Sequence, residues 1–282
     1  MYINCIVCGS NSSKQIARDR IGENLFNLMQ CVKCGFIYVN PRRTDIGKGT
    51  YFQSNVSDYD TLHLGPFKES VFKDVLTRIT RYTNERDLLD IGAGLGYFLY
   101  LARQQGFNSY GIEPSQPFVD FAKTHYNIDV KPGFPESTDF GDKKFGIITM
   151  LDVIEHVLNL QETIEKCENL LKSQGLFVLR FPNATQHKMK ELLMRPIYDM
   201  YKKPVWCLGI GHHINFFSRN TIIRFLEKYG FDILSISNSK TELHDNKLLS
   251  FLKVFYEKFA FGLHLLTGAH LANSLIVIAK KR

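Results

Sequence analysis

The sequence predicts an α/β domain organised around a nucleotide-binding sheet, with a small metal-binding module in front of it. Two observations lead to this prediction. In the segment Asp87-Leu-Leu-Asp-Ile-Gly-Ala-Gly-Leu-Gly-Tyr-Phe-Leu99, a glycine-rich turn separates a short apolar strand from an apolar helix start. Two Cys-x-x-Cys-Gly motifs lie within the first 35 residues. A strand, a glycine turn and a helix in this order form the first unit of a nucleotide-binding α/β fold.

Length and composition set the limits of this prediction. The 282 residues, 44% of them hydrophobic, suffice for one large domain and a small accessory module. There is no run of 18 apolar residues, so no transmembrane helix is expected. The N-terminus lacks the basic and apolar segments of a signal peptide, and we expect a cytoplasmic protein. A net charge of +7 indicates a solvated basic surface rather than a specific acidic partner.

The two cysteine pairs predict a zinc ribbon over residues 1–40. Cys5 and Cys8 form the first Cys-x-x-Cys motif, Cys31 and Cys34 form the second, and a glycine follows each motif. A two-residue spacer lets both thiolates face one metal, and the glycine permits the positive φ of the turn. Four cysteine ligands leave no open coordination position, so the Zn²⁺ would be structural. Redox pairs would instead lie at a strand–helix junction of a larger domain.

Residues 41–86 are predicted to form a linker that ends in a lid helix. Apolar residues recur at helical spacing from Pro66 to about Tyr82. We expect this helix to lie across the sheet just before the first strand.

The core, residues 87–183, alternates strands and helices as a parallel sheet requires. The predicted strands cover residues 87–91, 109–113, 129–131, 144–151 and 176–181. Helices are predicted after the first, second and fourth strands, and Pro114 is predicted to start the second of them. Glu113 ends the second strand, 21 residues beyond Gly92, where a carboxylate can accept both hydroxyl protons of a ribose.

The glycine loop discriminates between two cofactor classes. A dinucleotide dehydrogenase needs G-x-G-x-x-G with a small last residue, and here that position is Tyr97. The register is instead Gly92-x-Gly94-x-Gly96, preceded by Asp90. This pattern resembles motif I of class I S-adenosylmethionine (SAM)-dependent methyltransferases.

Further segments agree with that resemblance. Glu113 follows the second strand, and a Leu-Asp-Val-Ile-Glu-His-Val run follows the fourth. The cysteine ribbon, an Asn40-Pro-Arg linker and a Gly211-His-His-x-x-Phe-Phe-Ser segment also fit. Together they resemble a bacterial subgroup of methyltransferases, similar to types 11 and 23, that carry a zinc ribbon. The resemblance covers most of residues 1–240.

The resemblance implies a fold and a domain plan. The fold would be a seven-stranded Rossmann-like class I methyltransferase sheet over residues 87–282. Substrate-side insertions would occupy 184–216 and 240–272. The final strand, 274–279, would run antiparallel between the fifth and sixth strands. Ser218 is predicted to cap the helix that precedes the sixth strand.

The resemblance also implies SAM as the cofactor and assigns residues to it. Asp90, with Gly92, Gly94 and Gly96, would cradle the methionine moiety, whose ammonium needs carboxylate and carbonyl acceptors. Glu113 would hold the ribose.

Four further residues are assigned to the remainder of the site. Phe134 or Glu136 would border the adenine, although Gly-Phe-Pro-Glu departs from the usual acidic-plus-apolar signature of the family. Asp152 and His156 would flank the sulfonium and the substrate entrance.

Three histidines are candidate catalytic bases. His212 and His213 lie in a loop that such folds place near the carboxyl edge of the sheet, and His156 lies one turn past Asp152. A neutral imidazole can remove a proton from a hydroxyl or amine acceptor. Alternatively, each histidine holds its loop through a hydrogen bond to a backbone carbonyl.

The predicted substrate is a small or glycan-linked metabolite, such as a sugar or a surface-polysaccharide precursor, with O-methylation as the first expectation. The alternative is a nucleic-acid-binding zinc-ribbon protein or an RNA methyltransferase. Nucleic acid is not the expected partner, because the ribbon does not interleave stacking aromatics with a dense basic stripe.

Residues 247–266 predict an inserted helix that is more apolar than a surface helix needs to be. Three roles are open for it: a cover over the active site, the face of a homodimer, or a peripheral membrane contact.

Overall fold

The computed structural model describes residues 1–21, 24–42, 56–190, 192, 213–268 and 270–282. His212, one of the predicted base candidates, lies outside these residues. So does most of the predicted insertion at 184–216. The predicted domain boundaries stay a prediction.

The described strands, numbered in chain order, are β1 (Ser13–Ile21), β2 (Asn24–Cys31), β3 (Ile37–Val39), β4 (Asp87–Ile91), β5 (Asn108–Glu113), β6 (Val130–Pro132), β7 (Phe145–Leu151), β8 (Leu171–Pro182), β9 (Asn215–Phe216), β10 (Phe231–Asn238) and β11 (Ser274–Lys281). The helices are α1 (Asp58–His63), α2 (Glu69–Ile79), α3 (Tyr97–Gln104), α4 (Gln116–Tyr126), α5 (Leu160–Leu170), α6 (Arg219–Lys228) and α7 (Lys247–Thr267). A 3₁₀ turn, Pro66–Lys68, leads into α2.

The larger sheet contains seven strands in the order β10-β11-β8-β7-β4-β5-β6. Only β11 runs antiparallel to its neighbours β8 and β10, while the other pairs within the sheet are parallel. The predicted seven-stranded fold, with its inserted antiparallel last strand, is therefore confirmed.

One helix start was predicted wrongly. Pro114 does not begin α4, because Ser115 is still extended and acts as the N-cap residue. The helix begins at Gln116 and takes Pro117 into its first turn, where a missing backbone N–H is tolerated. The predicted cap at Ser218 is present, since its hydroxyl accepts a hydrogen bond from the backbone N–H of Thr221.

Helices cover both faces of the larger sheet. Leu88 of β4 packs on the face that holds α2, α3 and α4, while Leu89 and Ile91 pack on the face that holds α5 and α6. This alternation follows from the two-residue period of a strand. Every residue of β7 is buried, as expected for the centre of a parallel sheet.

The smaller sheet joins the N-terminal ribbon to the larger domain. Its order is β1-β2-β3-β9, with antiparallel pairing throughout, and the β1–β2 hairpin lies between the two cysteine pairs. The strand β9 lies after β8, far from β3 in the sequence, and pairs with β3 in antiparallel orientation. The Phe36 ring lies 4.8 Å from the Phe217 ring, so the ribbon packs into the core of the larger domain.

Arg42, two residues after the ribbon, anchors this part of the chain to the loop after β7. Its side chain is buried and donates to the carbonyl oxygens of Val157 and Leu158 and to Asn215 Oδ1. Asn215 Nδ2 in turn donates to the carbonyl oxygens of Ile154 and Val157, at 3.1 and 2.8 Å. Burial lowers the pKa of Arg42 to about 10. These bonds hold three distant segments of the chain together.

The outer face of α7 is apolar. Its exposed side chains, each more than half accessible, are Leu248, Phe251, Leu252, Phe255, Phe259, Phe261, Leu265 and Leu266. Within the described part of the chain, none of the helices has the length and hydropathy needed to span a bilayer.

Replacing Arg42 with methionine should lower the free energy of unfolding by roughly 2–3 kcal/mol, because three buried oxygen acceptors lose a charged donor. Urea denaturation followed by circular dichroism measures this loss. Arg81→Met is the matched control, since Arg81 is exposed. Equal stability of the two variants would contradict an anchoring role for Arg42.

Candidate active site

The candidate site lies where the carboxyl ends of β4, β5, β7 and β8 meet at one edge of the larger sheet. In open α/β sheets this edge is where ligands bind. The glycine loop after β4 is attached to the neighbouring strand here, because the backbone N–H groups of Gly92 and Ala93 both donate to the carbonyl oxygen of Ile112, at 2.9 and 3.0 Å.

The three glycines of the loop have different surroundings, although all have positive φ. A Cβ at Gly92 would lie 2.5 Å from Val153 Cγ2, and one at Gly96 would lie 2.7 Å from Ala122 Cβ. Glycine at these two positions permits close packing against the loop after β7 and against α4. At Gly94 the nearest atom would be 3.9 Å away. Of the three, Gly94 therefore has the backbone that a ligand can approach.

Tyr97 occupies the position where a dinucleotide fold needs a small residue. Its ring is largely buried and packs near Phe72 and Tyr126, and its hydroxyl donates to Glu69 Oε2 at 2.8 Å. The side chain is thus part of an aromatic cluster beneath the loop.

Asp90 is buried at the end of β4. Its carboxylate accepts a hydrogen bond from Thr149 Oγ1 at 2.5 Å. Burial, and to a lesser extent the nearby carboxylate of Glu113, raises the pKa of Asp90 to about 7, although the hydrogen bond from Thr149 opposes this. No cation pairs with Asp90 among the described residues. A cationic ligand bound beside Asp90 would therefore favour the ionised form of this carboxyl group.

Glu113 is buried at the end of β5 and connects to the glycine loop. Its two carboxylate oxygens accept from the backbone N–H groups of Gly94 and Ser115, at 2.9 and 3.0 Å. Burial raises the pKa of Glu113, while these two hydrogen bonds lower it. The structure thus brings Asp90, Gly94 and Glu113 together.

Phe134 and Glu136 lie in the loop after β6. The N–H of Gly133 donates to the carbonyl oxygen of Glu113 at 3.1 Å, which places this loop beside the end of β5. Phe134 is half exposed at this edge. The carboxylate of Glu136 accepts a hydrogen bond from Thr163 of α5.

Asp152, just after β7, is the centre of a four-residue ionic cluster at this edge. Lys68 lies 2.6 Å from Asp152 and 3.5 Å from Glu242, and Arg180 pairs with both carboxylates. Burial alone would raise the pKa of Asp152, but Arg180 and Lys68 outweigh it and lower the pKa to about 2. The sequence analysis placed Asp152 at the site but missed the other three residues of this cluster.

His156 and His213 are brought together, with ring centroids 4.8 Å apart. Glu155 lies beside them, and one side-chain ligand atom of each residue falls within 4.8 Å of the others. We call these three residues the His₂Glu cluster. The N–H groups of Ile214 and Asn215 donate to the carbonyl oxygen of Glu155, at 2.8 and 3.1 Å, and fix the two segments to each other. The sequence run that contains Glu155 was recognised, but no role was predicted for its carboxylate.

The four N-terminal cysteines converge as predicted. The Sγ atoms of Cys5 and Cys34 lie 3.5 Å apart, as do those of Cys8 and Cys31. Four thiolates around Zn²⁺, with Zn–S bonds of about 2.3 Å, have sulfur–sulfur distances of about 3.8 Å. The cluster therefore fits a tetrahedral metal site.

A cavity of about 260 Å³ opens beside the ionic cluster, between the end of β8 and α7. Five cationic or basic side chains and two acidic ones contribute to its wall: Arg180, His187, Lys190, Lys240 and Lys253, with Glu242 and Glu257.

Comparison with known proteins identifies the family. The family model described as a methyltransferase domain, type 23, matches residues 67–236, which is more than half of the chain. The chain therefore belongs to this family of methyltransferase domains, and the resemblance to class I SAM-dependent methyltransferases is confirmed.

Individual proteins similar to this chain agree with that assignment. Ubiquinone biosynthesis O-methyltransferases of Rickettsia akari and Pelagibacter ubique are 27% and 28% identical over 135 and 134 residues. These matches cover 46% and 45% of this chain and 54% and 55% of the two enzymes, so the chain spans about half the length of the curated relatives that it matches.

Solved structures show the same fold. A SAM-dependent methyltransferase from Archaeoglobus fulgidus matches with a TM-score of 0.54 and 21% identity, over 83% of this chain and 100% of that one. Magnesium protoporphyrin IX methyltransferase from Synechocystis, solved with bound S-adenosylhomocysteine (SAH), matches with a TM-score of 0.50 and 14% identity, over 77% and 84% of the two chains.

Replacing Asp90 with asparagine should stabilise the ligand-free protein at high pH. The raised pKa means that folding is penalised as the pH rises from about 4, where an unfolded aspartate ionises, through about 7. Asparagine removes this penalty, so the variant should gain roughly 2–4 kcal/mol at pH 8 and close to nothing at pH 4. Urea titrations across this range measure the difference.

The exposed Asp129 provides the control for that series. Asp129→Asn removes a carboxylate whose pKa is lowered by Lys123, so this variant should show no gain at pH 8. A gain for Asp90→Asn that does not change with pH would contradict the assigned ionisation.

Proposed function

We propose that this chain transfers a methyl group from SAM to a small acceptor molecule. The observation that carries the proposal is the pair of buried carboxyl groups, Asp90 and Glu113, on either side of the accessible backbone of Gly94. SAM contains an ammonium group and a ribose diol, and these need carboxylate acceptors. When bound, SAM supplies an electrophilic methyl group on a sulfonium.

The residues of the edge fit this ligand. Asp90 lacks a cationic partner among the described residues, and the ammonium of SAM would provide one. Glu113 already accepts hydrogen bonds from two backbone N–H groups, and each of its oxygens keeps a further lone pair for a ribose hydroxyl. Phe134 is half exposed next to this position and would border the adenine. Catalysis by these residues consists mainly of binding and orienting the cofactor.

The acceptor is proposed to bind on the other side of Asp152. The Asp152 carboxylate is held by Arg180 and Lys68, so it forms a rigid boundary between the cofactor half and the acceptor half. His156 and His213 line the acceptor half. The acceptor would be deprotonated beside these rings, either by an imidazole or by a group that the imidazoles hold.

O-methylation of a sugar or glycan-linked metabolite that carries an acidic or phosphate group is the proposed reaction. The relatives from Rickettsia akari and Pelagibacter ubique are named as O-methyltransferases, which supports oxygen as the acceptor atom. The cavity beside Arg180 supports the acidic group, because three lysines, Lys190, Lys240 and Lys253, contribute to its wall.

Glu113→Gln should weaken SAH binding about 10- to 100-fold, because a hydrogen bond to a charged group contributes about 1.5–3 kcal/mol. Isothermal titration calorimetry with SAM, SAH and NAD measures the three affinities. Glu165→Gln, on the exposed face of α5, is the control. If NAD binds and SAM does not, the proposed cofactor is wrong.

The class of acceptor is tested by incubating the protein with SAM and, in turn, nucleotide-linked sugars, phenolic metabolites and RNA. Formation of SAH shows which of these molecules receives the methyl group. Transfer to an acidic sugar or phenol should fall when Lys190 or Lys253 is replaced by methionine, because the cavity loses positive charge. Transfer to RNA alone, with binding that weakens steeply as salt rises, would support an RNA methyltransferase instead.

We also propose that the four N-terminal cysteines hold a structural Zn²⁺. Protein purified without added metal should contain one zinc per chain, measured by mass spectrometry of the metal content. Cys8→Ser should lose that zinc and unfold at a lower temperature, because metal binding and ribbon folding are coupled. Cys167→Ala, in the buried face of α5, should keep the zinc. Zinc-free protein with unchanged stability would contradict the proposal.

A further inference from the structure

Glu155 has a buried carboxylate oxygen that the described residues leave unsatisfied. The residue is 3% exposed, and Oε2 has no hydrogen-bond partner. A buried carboxylate without a partner is costly, and such groups in native proteins are commonly satisfied by a bound ion or an ordered water. Its neighbours across the site are the imidazoles of His156 and His213.

We propose that the His₂Glu cluster binds a divalent first-row transition metal. Two imidazoles and one carboxylate are the donor set of open metal sites that keep coordination positions for water or substrate. Because two of the three ligands are imidazoles, the site favours manganese, iron, cobalt, nickel or zinc over magnesium and calcium, which prefer oxygen donors.

The distances permit such a site. Bonds of about 2.1 Å place neighbouring ligand atoms roughly 3–3.5 Å apart, and the three ligand atoms already lie within 4.8 Å of one another. His156 is exposed and His213 is half buried, so the open coordination positions face the acceptor side rather than the core. Asp152 does not compete with these ligands, because Arg180 and Lys68 neutralise it.

The surrounding hydrogen bonds fix the ligands in place. Glu155 and His156 lie in the loop after β7, while His213 immediately precedes the segment that pairs with the ribbon. The carbonyl oxygen of Glu155 accepts hydrogen bonds from both residues after His213, which joins the two ligand-bearing segments directly. A metal site needs this kind of support, since loosely held ligands lose affinity.

The metal would define the acceptor chemistry, and this step rests on the proposed methyl transfer. An acceptor hydroxyl on the metal would lose its proton to water at a lower pH than a free hydroxyl. The resulting oxygen anion forms a bond to the methyl carbon as the carbon–sulfur bond breaks, and the electron pair of that bond stays on sulfur to give SAH. The site therefore selects acceptors with a metal-binding oxygen, such as a vicinal diol or a catechol.

Titration with Mn²⁺, followed by electron paramagnetic resonance, tests the site without displacing zinc from the cysteines. The ligand-free protein should bind one Mn²⁺ per chain. Glu155→Gln and His213→Ala should each weaken that binding about 10-fold or more. His125→Ala, an exposed histidine stacked on Phe121, should bind Mn²⁺ as the unsubstituted protein does.

Metal binding by the unsubstituted protein is the first result that can overturn the proposal. If it takes up no Mn²⁺ and no Co²⁺ beyond the ribbon metal, the cluster is not a metal site. Undiminished binding by both Glu155→Gln and His213→Ala would also overturn it. SAH affinity is measured in the same samples, so a protein that binds SAH but no added metal refutes this inference and leaves the proposed methyltransferase activity intact.

The helix α7 has its exposed face apolar, the reverse of an ordinary surface helix. Its inner face is attached to the protein by polar contacts: Tyr256 donates to the carbonyl oxygen of Leu271, and Glu257 accepts from the N–H of Thr241. Its outer face is the exposed apolar stripe described above. Lys247 and Lys258 lie on the exposed side, and Glu257, the only acidic residue of the helix, points inward.

We infer that this outer face lies on an anionic lipid surface. Leucine and phenylalanine side chains bordered by lysines, with no acidic residue on the exposed face of the helix itself, complement the acyl chains and acidic headgroups of such a surface. A second copy of the chain fits less well. Antiparallel pairing of two α7 helices about their midpoint would place Lys258 of one copy close to Lys258 of the other.

Sedimentation with vesicles of phosphatidylcholine, with and without phosphatidylglycerol, tests this surface. The protein should sediment with the acidic vesicles, and Phe255→Glu should reduce the bound fraction at least about 5-fold. Val32→Glu changes an equally exposed apolar residue on the ribbon and should have no effect. Failure to bind acidic vesicles overturns the inference, as does a stable dimer in solution that Phe255→Glu dissociates.

Discussion

The hydrogen bonds of Arg42 are the interaction on which the arrangement of the site depends. One buried guanidinium reaches the loop after β7 and the side chain of Asn215, and Asn215 reaches back to the same loop. The loop carries Glu155 and His156, and Asn215 follows His213 closely. The ribbon therefore does more than precede the catalytic domain. Arg42, two residues beyond it, joins the loop that carries Glu155 and His156 to the segment that follows His213, and so helps to set the distance between them.

Charge is distributed unequally between the two halves of the sheet edge. At the ends of β4 and β5, Asp90 and Glu113 are buried without a cation among the described residues, and burial raises the pKa of each. Just after β7, Asp152 has two cations beside it. The ends of β4 and β5 are therefore suited to a positively charged ligand. Because Lys68 and Arg180 already compensate Asp152, the region after β7 does not need one.

Much of the fold could be predicted from the sequence because its signals are local. Short strand patterns on either side of the glycine loop, and the apolar run before Asp152, identified β4, β5 and β7, while the place of the final strand in the sheet followed only from the resemblance to the methyltransferase family. The ionic partners of Asp152 could not be predicted, because Lys68 and Arg180 lie far from it in the chain and are brought together only by the topology. The helix after β5 was placed two residues early, since two prolines flank its N-cap and the pattern does not say which one lies inside.

The pairing of β3 with β9 has a consequence for how this protein is made. During synthesis, β1 to β3 leave the ribosome before β9, so the edge of β3 that pairs with Asn215 and Phe216 stays open until those two residues have also emerged. An unpaired strand edge is a site for intermolecular pairing. A nascent or truncated chain that ends before β9 would therefore expose this edge, and boundaries for shortened versions of the protein should keep the ribbon and the β9 segment together.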